Sequence, residues 1–423
     1  MAHTLLGIFL VSLVPPSYFF VGDVRLSFTR IFLLLTFVPL LLRLLSERAG
    51  KLRGIDVFLM LFMGWILLTL LVHHGFSRLP YAAITVVELF GGYLVGRTLI
   101  RSLEDVIALF RIGLYILLFL SPFAAIELLT DRNLLQEISR KAFPTLFKEE
   151  SSYGRIGMFR VMAGFEHPIL YGLFCSTFFA PLVYLFRRNG IFFSLLIGGF
   201  VVFMTFASLS SAPLISVVLQ LGLMVWGWLT GRRWWLLFGV VAVSYVTLDL
   251  LSNRTPVTII INYITFDPST AWGRIEIWNY GSAAMWSHPI FGIGLNDWPR
   301  PIWLGNSVDN FWLLNGMRHG VVGGLLLISG LISGLWLVLR AKPLPVRSAL
   351  FREAYVIMVV GLCFSLTTVH IWGDTSSMVM LLFGAAVWIA EARPAIEVDS
   401  RHANDREKPV YSRFERKPGK QRL

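Results

Sequence analysis

From residue 4 onward, long unbroken apolar runs alternate with short polar connections. The runs cover residues 4–20, 31–46, 55–73, 79–96, 105–128, 168–186, 191–209, 212–230, 234–251, 310–340, 353–371 and 375–391. Each is continuous rather than alternating, which predicts helices, and a run of about 20 apolar residues matches the hydrocarbon thickness of a bilayer. Inside lipid every backbone N–H and C=O must be satisfied, which leaves helices or closed barrels. The expected fold is therefore an all-α polytopic membrane protein with about twelve transmembrane helices. The run 310–340 is too long for one straight crossing, and Gly316 and Gly320 mark where it should divide.

Composition sharpens this picture. Hydrophobic residues make up 56% of the 423 positions, and the mean hydropathy is +0.69. A soluble core could not hide so many apolar side chains. Cys175 and Cys363 both fall inside apolar runs, so no disulfide framework is expected. The first run lacks a basic leader and a cleavage site, so it counts as a span.

A formal charge of +12 invites a nucleic-acid reading, but the placement of the charge argues against one. Arg48, Lys51, Arg53, Arg97, Arg101, Arg187, Arg188, Arg232, Arg233, Lys342 and Arg347 all lie in short connections. Such a bias orients a membrane protein, with basic connections and both termini in the cytoplasm, and calls for no polyanion. Two long polar segments then face outward. The chain divides into N-terminal spans (1–128), a first outer segment (129–167), central spans (168–251), a large outer loop (252–309), C-terminal spans (310–391) and a disordered basic tail (392–423). Leu134, Leu135, Ile138 and Ala142 recur at helical spacing behind Asp131, predicting a surface-lying amphipathic helix capped by that aspartate.

Candidate chemistry concentrates in the outer segments. There is no phosphate-binding G-x-x-x-x-G-K-[ST] loop, and neither D-x-D nor H-E-x-x-H occurs. No metal site or cofactor is therefore expected. What stands out is Arg160-Val-Met-Ala-Gly-Phe-Glu166-His167-Pro168, Ser210-Ser211-Ala-Pro213, Trp272-Gly-Arg274-Ile-Glu276-Ile-Trp278, Ser287-His288-Pro289-Ile-Phe-Gly292-Ile-Gly294, and Val308-Asp309-Asn310-Phe-Trp312.

In order, spacing and shared outer location these motifs resemble the O-antigen ligase and Wzy-type polymerase superfamily, over about residues 155–324. The Trp-Gly-Arg-x-Glu-x-Trp and Val-Asp-Asn-x-Trp runs look most like its exopolysaccharide polymerases. The resemblance implies a GT-C-like membrane glycosyltransferase fold in a bacterial inner membrane. It also implies metal-independent transfer from an undecaprenyl-diphosphate-linked glycan at the periplasmic face. The family's arginines map onto Arg160 and Arg274. Where ligases carry His before Asn, this chain has Asp309-Asn310, which leaves the base open among Asp309, Glu166 and Glu276, with Asp309 favoured.

The chemistry of such a transfer points the same way. Attack of a sugar hydroxyl at an anomeric carbon expels a diphosphate, and guanidinium groups bind such oxygens bidentately while staying charged. Glu166, His167, Ser211, Glu276, Trp278, His288 and Asn310 are the expected substrate contacts.

Each has a plainer reading beside it. Asp309 would serve as a helix cap, the two His-Pro pairs as turn formers, and Gly292 and Gly294 as a tight turn rather than a diphosphate wrap. His370 and Asp374 are spaced to pair. Glu88, deep in a span, calls for an arginine from a neighbour.

Polymerisation of lipid-linked repeat units is the leading expectation, with transfer of a finished glycan to another acceptor as the nearest alternative. The rival from another class is a lipid-linked-oligosaccharide flippase or transporter; related halves and midplane polar groups would mark it. Partners implied are the lipid-linked donor and acceptor, the bilayer, a chain-length regulator and a flippase, and no nucleic acid.

Overall fold

The computed structural model describes residues 2–22, 24–143, 155–251, 268–341 and 345–391. The tail 392–423, expected to be disordered, and Lys342 lie outside them, as do residues 252–267 of the large loop.

Apart from a two-stranded hairpin, everything described is helix and connection. The elements are α1 (Ala2–Ser12), β1 (Tyr18–Val21), β2 (Val24–Ser27), α2 (Phe28–Leu45), α3 (Gly54–His74), α4 (Leu79–Leu99) and α5 (Leu103–Thr130). There follow α6 (Leu134–Ala142), α7 (Pro168–Ser176), α8 (Phe179–Phe186), α9 (Ile191–Ala207), α10 (Ser211–Leu229) and α11 (Trp234–Leu251). The chain closes with α12 (Pro268–Ser287), α13 (Phe311–Leu339), α14 (Val346–Leu366), α15 (Gly373–Gly384) and a 3-10 turn at Val387–Glu391.

Eight stretches among the described residues are long and apolar enough to cross a membrane, and one of them, Gly54–Leu99, contains both α3 and α4. Ala2–Ser12, Ile191–Ala207 and Trp234–Thr247 are shorter apolar helices. Large apolar side chains point outward along the bundle, among them Leu35, Phe192, Phe238 and Leu250. In water this would be untenable; in lipid those side chains face a matching solvent.

The first apolar run is not one helix. Pro15 and Pro16 cannot continue α1, and 11 residues of helix reach only about 16 Å of the roughly 30 Å needed. The chain nevertheless runs from His3, bonded to Asp105 at the start of α5, to Tyr18, bonded to Glu166 before α7. Its extended part is walled in by protein, with Leu13, Val14, Ser17 and Tyr18 all buried. Non-helical backbone at such depth is tolerated only there.

The run 168–186 likewise breaks into α7 and α8 near Thr177, and α13 is interrupted at Gly320, whose φ is 72°. The amphipathic helix forms as α6, but Asn133 caps it by accepting from Gln136 N; Asp131 instead takes a left-handed conformation ending α5.

The tightest packing is between α4 and α15. A Cβ on Gly92 would stand 2.1 Å from the Ser377 carbonyl oxygen, and one on Gly96 would stand 2.1 Å from that of Leu381. Small residues four apart let two membrane helices touch backbone to backbone. Gly92→Leu is therefore expected to abolish recovery of monodisperse protein in detergent, exceeding the roughly 1–3 kcal/mol of ordinary overpacking. Gly64→Leu, where nothing lies within 4 Å of the added carbon, should leave the size-exclusion profile unchanged.

Below this crossing, the start of α3 and the end of α4 carry buried charge. Arg97 and Asp56 are fully buried 3.1 Å apart. Arg97 also donates to the carbonyls of Ala49 and Lys51, and Tyr93 donates to Asp56. Arg101 joins Glu391 at 2.8 Å. Two of the basic residues read as orienting charges, Arg97 and Arg101, are thus committed to partners inside the protein.

Candidate functional site

At the opposite end of the bundle from that network, a cavity of about 780 Å³ opens between the hairpin, the first turns of α2 and α4, the first half of α13 and residues 370–376. Four arginines face it: Arg25, Arg30, Arg78 and Arg318. Glu88, Glu166, His319 and His370 join them, and Leu70, Pro80, Ile84 and Leu89 supply an apolar side.

Each arginine is held differently. Ser27 caps α2 by accepting from Arg30 N, which aims the first turn at the cavity. Arg30 Nε donates to Glu88 Oε1 at 2.6 Å, answering which arginine meets that deep carboxylate. Arg25 lies 3.4 Å over the Tyr18 ring and donates to Glu166 Oε1 at 2.8 Å. Arg78 and Arg318 are less committed. Arg318 reaches Tyr81 Oη at 3.4 Å, and the Arg78 side chain makes no hydrogen bond among the described residues.

Glu166 ties the wall together. Its Oε1 accepts from both Tyr18 and Arg25, and its Oε2 accepts from Trp372 Nε1 at 2.7 Å. The loop carrying Glu166 is itself pinned, because Glu127 accepts from Met162 N and Ala163 N, both at 2.9 Å.

The break in α13 places Arg318 and His319. A left-handed φ at Gly320 interrupts the ladder and frees the Met317 and Arg318 carbonyls. Ile293 N and Gly294 N fill them at 2.8 and 3.0 Å, and Val321 N donates to Pro289 O at 2.8 Å. The His-Pro-Ile-Phe-Gly-Ile-Gly segment is thus a plug for a broken helix, and those two amides are spent on protein. Phe291 stacks on Trp65, 5.5 Å between centroids, and Trp65 donates to the His319 carbonyl. His319 Nδ1 bonds Thr69, and His74 accepts from Leu295 N.

Most residues singled out in the sequence do not line this cavity. Glu166 lines it; Arg160, Arg274 and Asp309 are not among its lining residues. Arg160 donates to Ser210 Oγ at 3.0 Å and to the Ser208 carbonyl, stitching the segment before α7 to the α9–α10 turn beside Ser211. Arg274, Glu276 and Trp278 stand on α12, which packs Ile277, Gly281 and Ala284 toward α13 while Trp278 is 53% exposed. Asp309 accepts from Ser307 Oγ. The cap of α13 is Asn310, accepting from Leu313 N at 2.9 Å, not Asp309. His167 Nδ1 accepts from Ile169 N at the start of α7, and His288 contacts Ser287, so both serve turns.

His370 and Asp374 do not pair as their spacing suggested. Asp374 accepts from Ser27 Oγ at 2.6 Å, and His370 Nδ1 is buried without a hydrogen-bond partner. Burial, helped by the Arg318 charge, pulls His370 from 6.5 to about 3. The unfolded chain then binds the extra proton between those values. Stability is full above about pH 6.5 and is lost as pH falls toward 3. Thermal unfolding of His370→Leu should show a smaller loss between about pH 7 and about pH 5 than the parent does.

Arg25, Arg30, Arg78 and Arg318 were not singled out from the sequence. Arg318 carried a usable signal, a charge beside the glycine expected to break a long apolar run. Arg25 carried none, since only the hairpin brings it to Glu166.

Residues 193–328 match the family model described as O-antigen ligase. The matched region holds Arg274, Glu276, Asp309, Arg318 and His319, while Arg25, Arg30, Arg78, Arg160 and Glu166 precede it. No curated protein matches the chain.

Proposed function

We propose, from the O-antigen ligase domain carried at residues 193–328, that this membrane protein polymerises undecaprenyl-diphosphate-linked repeat units in the cavity bounded by Arg78 and Arg318. The observation carrying this reading is one open cavity with two arginines little engaged elsewhere, a carboxylate, and an apolar flank.

In this reading the chain crosses the bilayer twelve times with both ends cytoplasmic. The concentration of Arg48, Arg53, Arg97, Arg101, Arg187 and Arg188 at the end away from the cavity supports a periplasmic cavity. The donor diphosphate lies against Arg78 and Arg318, with Arg25 behind them and the polyprenyl chain leaving past Ile84 and Leu89. An acceptor hydroxyl forms the new bond at the anomeric carbon. The carbon–oxygen bond to the diphosphate breaks, and its electron pair goes to the leaving oxygen. Arginines aimed at that oxygen lower the barrier because the charge there grows as the bond breaks. The hydroxyl proton passes to Glu166 Oε2, which has one donor, Trp372, and room for another.

Arg160, Arg274 and Asp309 form a second placement of the reacting centre, supported by motif order rather than by the cavity. Purified protein in lipid, supplied only with undecaprenyl-diphosphate-linked repeat units, is expected to yield a ladder of longer lipid-linked glycans. Product that appears only when a different acceptor is added would replace polymerase with ligase. Movement of donor across the bilayer without product would replace both with a flippase. Full activity in Glu166→Gln together with loss in Asp309→Asn would move the base to Asp309.

A further inference from the structure

A second cavity, of about 280 Å³, lies at the basic end of the bundle between the start of α5, the end of α8 and the start of α14. Its walls are apolar, with Phe110, Pro181, Leu185 and Phe351 among them. Three arginines, Arg187, Arg188 and Arg347, stand at its mouth, and no carboxylate lines it. None of the three guanidinium groups makes a hydrogen bond or ion pair among the described residues.

The acidic groups nearby are engaged elsewhere. Glu353 takes Arg232 at 2.8 Å. Asp105 takes Ser102, His3 and the Arg101 amide. Glu104, next to Leu103, points outward and does not line the groove. Three exposed positive charges therefore converge over an apolar slot between membrane helices, and no carboxylate among the described residues meets them.

An apolar slot opening between such helices takes a hydrocarbon chain, and a guanidinium cluster at its mouth takes a phosphate. Both belong to one molecule. We infer that this groove is a site for an anionic diacyl phospholipid, its phosphate on Arg187, Arg188 and Arg347 and an acyl chain in the slot. The site is independent of the cavity at the other end, and its test does not use transfer activity.

Delipidated full-length protein, titrated with phosphatidylglycerol or phosphatidylcholine and read by native mass spectrometry, is the experiment. One phosphatidylglycerol should remain bound where phosphatidylcholine does not. Binding should weaken about fivefold for each of Arg187→Ala, Arg188→Ala and Arg347→Ala. Ile107→Trp, which fills the slot and spares the arginines, should weaken it too. Equal retention of both lipids by the unaltered protein would overturn the inference, whatever the variants' fold. Unchanged retention in a folded triple variant, or displacement by inorganic phosphate alone, would do the same.

Discussion

Arg318→Ala should reduce glycan transfer by about 10²–10³-fold, the loss seen when one preorganised donor to a developing anion is removed, while the protein stays folded. Folding should survive because the guanidinium's one hydrogen bond among the described residues is the 3.4 Å contact to Tyr81. The backbone around it is held independently, by Gly294 N on the Arg318 carbonyl and by Trp65 on that of His319. Arg318→Lys keeps the charge but not the fork, so it should recover only part of the rate. Single-turnover rates on a lipid-linked donor measure this directly. Should Arg160→Lys or Arg274→Lys cost more than Arg318→Lys, the reacting centre lies with the loop arginines and the cavity reading fails.

A large effect on stability is expected at the other end. Asp56→Ala leaves the Arg97 guanidinium in a fully buried site, and breaking a buried pair by removing one partner costs about 3–5 kcal/mol. Tyr93 Oη loses its acceptor as well. The double variant Asp56→Leu with Arg97→Met removes both charges and should recover much of that loss, since an apolar pair of similar volume replaces a buried ion pair at little cost. Thermal unfolding in one detergent compares the three proteins. A double variant as unstable as Asp56→Ala would locate the loss in the carbonyls of Ala49 and Lys51, which Arg97 also satisfies.

The cavity and the Arg97–Asp56 network differ in how far the sequence reveals them. Membrane helices were evident because lipid demands long apolar runs, and a run of that kind is a one-dimensional signal. The interruption of α13 was legible for a related reason, since only a glycine takes the φ found at Gly320 without strain. Glu88 announced a partner, because a lone carboxylate at that depth is expensive. Arg30 could not be named from sequence, being 58 residues distant in the chain.

Arg97 shows the reverse case. A basic residue in a short connection reads as a solvated orienting charge, yet the approach of α15 to α4, set by Gly92 and Gly96, closes over it. The proline pair at Pro15 and Pro16 was visible, but its consequence was not. Only the surrounding helices bury the extended stretch that follows α1.

The sequence by itself determined the helical class, the charge asymmetry between the two ends and the O-antigen ligase resemblance, because each is carried by local composition or motif order. Tertiary structure decided which charges meet. Glu166 receives Tyr18 and Arg25 from one hairpin and Trp372 from the far end of the chain, and Arg318 faces a cavity because a distant glycine turn caps its broken helix. Hydrogen bonds between remote segments leave no periodic trace along a chain, so these pairings exist only once the helices have packed.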